Sequence, residues 1–141
     1  MPQRVTLLLM SCVLTAVQPV AAVSLEPLAL GRQAWLAGRH AEAVAHWRPL
    51  AVVGDPQAQL FLAYAYRVGK GVAPDSAAAA RWYRVAAEQG VAEAQYELGL
   101  MFEVGNGVTS DPDEANYWYG RALGQGYCPS DLPAGGMLGE R

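Results

Sequence analysis

Apolar and small residues recur along the chain at helical rather than alternating spacing. Ala58, Leu62, Ala65 and Tyr66 form one such stripe, and Ala79, Trp82, Tyr83 and Ala86 form another. Laid on itself with an offset of 36, the chain pairs Ala58 with Ala94, Gln59 with Gln95, Leu62 with Leu98, Gly69 with Gly105 and Gly71 with Gly107. The register continues without a gap through Asp75 with Asp111, Ala79 with Ala115, Trp82 with Trp118, Tyr83 with Tyr119, Ala86 with Ala122 and Gly90 with Gly126. A period of this length means stacked supersecondary units, each of two helices whose shared apolar face cannot be buried by one pair alone.

Punctuation sets the element ends. Asp55-Pro56 and Asp111-Pro112 supply a capping acceptor followed by a residue already fixed at helical φ, and Glu114 stands where it would complete a capping box with Asp111. Gly54, Gly90 and Gly126 fit left-handed helix ends, and the pairs Gly69/Gly71 and Gly105/Gly107 fall in the turn between the helices. The small residues Ala63 and Gly99 allow close helix approach, and the Trp-Tyr pairs on the second helices fill the space between units. The pattern predicts helices over 25–37, 40–53, 56–68, 75–89, 92–104 and 112–125. Trp82 and Trp118, at identical register, are expected in the core.

The run Ala58-Gln59, Leu62-Ala63, Tyr66, Gly69-Lys70-Gly71-Val72, Asp75, Ala79, Trp82-Tyr83, Ala86-Ala87 and Gly90 resembles the Sel-1-like repeat. A second copy reads Ala94-Gln95-Tyr96, Leu98-Gly99, Phe102, Gly105-Asn106-Gly107-Val108, Asp111, Ala115, Trp118-Tyr119, Ala122 and Gly126. Upstream, Leu30-Gly31, Ala34, Gly38-Arg39, Ala43, Trp47, Leu50 and Asp55-Pro56 resemble a tetratricopeptide unit whose inter-helix turn is four residues shorter. The resemblance implies an all-α, right-handed α/α solenoid of about three antiparallel helix pairs: a divergent unit at 23–57, repeats at 58–93 and 94–126, and a tail at 127–141. Pro129, Pro133, Gly135 and Gly136 oppose a further helix in that tail.

The first residues follow a different logic. Arg4, an apolar run from Val5 to Val17, Pro19 and then Val20-Ala21-Ala22 make a secretory signal pattern with cleavage after Ala22. The run is shorter than the roughly 20 residues a spanning helix needs, so no stable membrane insertion is expected after cleavage. Leu9-Met10-Ser11-Cys12 offers the rival reading of a lipidated Cys12. A retained anchor is the weaker alternative, and periplasmic or secreted placement is expected.

Composition narrows the function. With 10 Lys plus Arg against 13 Asp plus Glu and no basic run, the electrostatic footprint of a nucleic-acid binder is missing. Removing the leader leaves Cys128 as the sole thiol, so no intramolecular disulfide forms; an inert tail residue and an intermolecular bridge are the two readings of it. His40 and His46 lie about 240° apart on a helix and do not converge on a metal. The cluster Asp111, Asp113 and Glu114 lacks calcium-loop spacing, and Gly69-Lys70-Gly71 lacks the phosphate-loop ending. Ser24, Ser76, Ser110 and Ser130 sit in no nucleophile elbow, so neither a catalytic set nor a cofactor or metal site is expected. Some disulfide-rich relatives have been linked to β-lactams, but the paired cysteines and Ser-x-x-Lys motif behind that link are missing here.

A binding surface remains. In solenoids of the resembled kind the first helices line a concave face, which nominates Leu60, Tyr64 and Arg67 with their counterparts Tyr96, Leu100 and Glu103. Covering of the next helix is the competing role for Tyr64 and Tyr96. Residues 94–129 hold one basic against five acidic side chains; a plain solvated face is the first reading of this excess, and steering of a basic partner segment to the C-terminal end is the second. The expected partner is a protein or peptide of the cell envelope, bound by an adaptor or regulator; the alternative is a module for cell-wall glycan. With only three units, end-to-end homodimerisation is open.

Overall fold

In a computed structural model, which describes residues 26–129, six helices follow one another. They are α1 Pro27–Leu36, α2 His40–Val52, α3 Pro56–Val68, α4 Ser76–Glu88, α5 Ala92–Val104 and α6 Pro112–Gly124. No strand occurs among the described residues. The leader expected at 1–22, with Cys12, and the tail beyond Pro129 lie outside them.

The predicted punctuation acts as local chemistry requires. The Asp55 carboxylate accepts from the Ala58 amide at 2.7 Å, and Asp75, placed by the pattern inside a helix, instead caps α4 by accepting from the Ala78 amide at 2.9 Å. Asp111 accepts from Asp113 and Glu114. The Glu114 carboxylate does not close the expected capping box; it accepts from Trp118 Nε1 at 3.0 Å, a partner one helical turn further on.

Each helix packs on the next, α1 on α2 through α5 on α6, so the pairs α1–α2, α3–α4 and α5–α6 form three stacked units. Two devices set the stacking, and each repeats at the 36-residue period. The first is a buried glutamine. Gln59 donates to the Ala51 carbonyl in the last turn of α2 and accepts from Gln89. Gln95 donates to the Ala87 carbonyl in the last turn of α4 and accepts from Gln125. Each therefore bonds both to the unit before it and to its own second helix.

The second device is backbone against backbone. A Cβ on Gly71 would lie 2.4 Å from the His40 carbonyl oxygen, and one on Gly107 would lie 2.2 Å from that of Ser76. Both glycines hold positive φ, 76° and 71°. The inter-helix turn of each later unit thus rests on the start of the previous unit's second helix, and only glycine meets both the conformation and the space.

Side chains complete the core. Trp47 and Tyr83, 36 apart, are fully buried with Leu60, Leu62 and Leu98. Trp47 and Tyr119 fit over Gly31 and Gly99, where a Cβ would fall within 2.7 Å of either ring. The expected pair of core tryptophans is only half realised. Trp118 is buried, whereas Trp82 is partly exposed, beside Arg81 and Val85 in a shallow groove. The innermost register belongs to the neighbouring position, held by Trp47 and Tyr83. His40 packs edge-on against Trp35, and His46 lies beside Glu42.

Two outcomes follow for stability. Gly107→Ala adds both a left-handed penalty and a collision with Ser76, and is expected to cost roughly 2 to 4 kcal/mol in urea unfolding. Gln95→Leu keeps the volume but strips the bridge between α4 and α6, at about 1 to 2 kcal/mol. An unchanged midpoint in either variant contradicts the corresponding contact.

Candidate binding surface

Helix α5 carries most of the expected surface. At about 100° per residue, Glu103, Tyr96, Leu100, Glu93 and Glu97 fall within about 120° of arc. The opposite arc, with Ala94, Gln95, Leu98, Gly99, Met101 and Phe102, is buried. The acidic side of this arc faces the middle unit. Glu97 pairs with Arg67 of α3 at 3.7 Å. The buried Tyr83 hydroxyl of α4 lies close to both, and burial first, with Glu97 next, holds its pKa far above the ordinary phenol value. Burial also raises Glu97, opposed by Arg67, and burial with Glu97 alongside pushes the Glu93 carboxyl up to about 7.

The other side of the arc is open. Tyr96, Leu100 and Glu103 of α5 line a cavity of about 350 Å³ with Tyr119 and Leu123 of α6 and Pro129 beyond it. The Tyr119 hydroxyl donates to the Glu103 carboxylate, and partial burial together with that carboxylate raises the phenol. The rings of Tyr119 and Tyr127 stand 5.3 and 5.7 Å from Tyr96. The start of the tail, Tyr127 to Pro129, therefore folds against the last unit.

The six nominated residues separate into two groups. Leu60 is 1% exposed and belongs to the core, because its unit has a neighbour on each side. Tyr64 is partly buried against Trp35 at 5.7 Å, with the Arg67 guanidinium over its ring at 5.2 Å. Arg67 itself is held between units by Glu97. Tyr96, Leu100 and Glu103 alone meet around one cavity. Tyr119, Leu123 and Pro129 were not nominated, although Tyr119 and Leu123 stand 36 after the buried Tyr83 and Ala87. Glu93 and Glu97 were also missed; their signal was an acid pair at i, i+4 on a face turned towards Arg67.

Among the described residues, no three His, Cys, Asp or Glu side chains are grouped to hold a metal, and no helix is long and apolar enough to cross a membrane. Cys128 is exposed. An array of antiparallel helix pairs stacked at a fixed period defines an α/α solenoid, a class that presents surfaces for other macromolecules. The family model of the Sel1 repeat matches residues 56–91 and 92–127. The chain belongs to the Sel1 repeat family, whose repeats generally mediate protein–protein interaction.

Two solved structures agree. One is a protective antigen present in uropathogenic Escherichia coli strains, with an SLR fold, at 37% identity and a TM-score of 0.68. The match covers 72% of this chain and 22% of the antigen. The other, a Sel1 repeat protein from Oxalobacter formigenes, is 38% identical at a TM-score of 0.60, over 61% of this chain and 66% of that one. No curated protein matches the sequence significantly.

The raised Glu93 carboxyl gives a pH dependence with a definite sign. Its value in the folded chain, about 7, lies above the ordinary 4.5, so the folded state holds the proton more tightly. The resulting stabilisation is complete below the ordinary value and is lost as pH rises through the folded one. Melting temperature is expected to fall from pH 5 to pH 8, and Glu93→Gln to flatten that fall. An unaltered slope in the variant contradicts the assignment.

Proposed function

We propose that this protein is an exported, non-catalytic adaptor of the cell envelope that holds a partner protein at the C-terminal end of its solenoid. The observation that carries the reading is the open cavity among Tyr96, Leu100, Glu103, Tyr119, Leu123 and Pro129. It combines apolar walls, aromatic rings and one carboxylate, the makings of a protein anchor point. The acid excess of residues 94–129 directs a basic partner to the same end.

Export rests on the leader pattern ending at Ala22. A structural relative that is a protective antigen fits that placement. Glycan binding is less well supported, because a sugar stacks on a free ring face. Tyr96 instead packs against two other rings, and Tyr117 against Trp118.

The test is crosslinked capture from the envelope fraction with the native protein, a Leu100→Asp/Leu123→Asp variant and Tyr64→Ala, each checked for folding by circular dichroism. A partner lost from the aspartate variant and kept by Tyr64→Ala supports the terminal surface. Loss in Tyr64→Ala alone moves the site to the concave face, and capture unaffected by either variant contradicts both. N-terminal sequencing of the native protein is expected to read Val23; an intact Met1 contradicts cleavage.

A further inference from the structure

The cavity has a filled counterpart inside the same molecule. Moving back 36 residues from Tyr96, Leu100, Glu103, Tyr119 and Leu123 gives Leu60, Tyr64, Arg67, Tyr83 and Ala87. Leu60, Tyr83 and Ala87 are no more than 1% exposed, whereas Leu123 is 57% exposed and Tyr96 and Tyr119 are only partly covered. The difference has a visible cause. Helix α5 packs on α4 and sets Glu97 against Arg67, while among the described residues no helix follows α6. The cavity is a stacking interface without its next helix.

Charge says what the missing helix carries. Where the filled interface has Arg67, the open one has Glu103, hydrogen-bonded by Tyr119. The residue that meets it must therefore reverse the sign of Glu97. The position 36 after Glu97 in this sequence is Pro133, which has neither a cation nor a backbone N–H to donate, and Gly135-Gly136 follow at once. We infer that the partner docks an amphipathic helix on α5 and α6 in the pose α5 takes on α3 and α4, with a lysine or arginine where α5 has Glu97, facing Glu103. This inference rests on the proposed binding function and specifies its partner.

The probe is α5 itself. A peptide spanning residues 88–106, stapled into a helix on its solvent face, is compared with the same peptide carrying Glu97→Lys, each titrated against the purified protein at low salt. The Lys peptide is expected to bind at least tenfold more tightly. Glu103→Arg in the protein, at an exposed site and with folding checked by circular dichroism, is expected to reverse that preference.

Equal affinity of the two peptides, or a preference unchanged by Glu103→Arg, overturns the inference. Were Leu132→Ser/Met137→Ser in the protein to strengthen both peptides alike, the occupant would be the chain's own tail. A concentration-dependent dimer that the peptides must displace would make it a second copy, and either result overturns the partner helix. If envelope capture still depends on Leu100 and Leu123 while no charge preference appears, the adaptor reading stands and only the helix is refuted.

Discussion

A buried glutamine in each later unit ties the molecule together. Gln59 and Gln95 are enclosed among apolar side chains, where an unpaired amide is costly, so each must find partners on two sides at once. One partner is a carbonyl in the last turn of the preceding unit and the other is the glutamine closing its own second helix. That double requirement fixes spacing and rotation between units together. The glycine turns over His40 and Ser76 repeat the same offset with backbone atoms. The 36-residue period of the sequence is thus a packing distance expressed in residues.

A stack built this way is asymmetric at its ends. Every interior position has a neighbour before and after it, while the unit of α5 and α6 keeps the stacking surface with no following helix among the described residues. Tyr83 and Tyr119 occupy one register, yet one is sealed and the other shares a cavity. The substitution of Arg67 by Glu103 at the same register changes the sign of what fits there. One kind of surface is thus filled inside the array and, among the described residues, left open on α5 and α6.

Helix ends were legible because aspartate, proline and glycine mark them by short-range chemistry: the expected bounds at 56–68 and 92–104 are met by α3 and α5. Register within the core was legible in part. Trp82 and Trp118 share a position, but burial depends on the adjacent aromatic and on which unit comes next. The site was less legible for the same reason. Leu60 and Tyr96 look equivalent in sequence, and only the placement of α5 shows that the first is enclosed and the second is not. Pairing of Glu97 with Arg67 crosses between units, a relation that helical spacing within one unit does not display.

The central claim is that the face of α5 and α6 is an unfilled copy of the interface that α5 completes on α4. Hydrogen exchange of the free protein, resolved by helix, tests it most directly, since amides under a stacked neighbour open only with larger parts of the fold. Slower exchange through α4 than through α6, by at least a factor of about ten (about 1.4 kcal/mol), is the predicted result. Protection of α6 equal to that of α4 would mean that the terminal face is already covered, and would contradict the account.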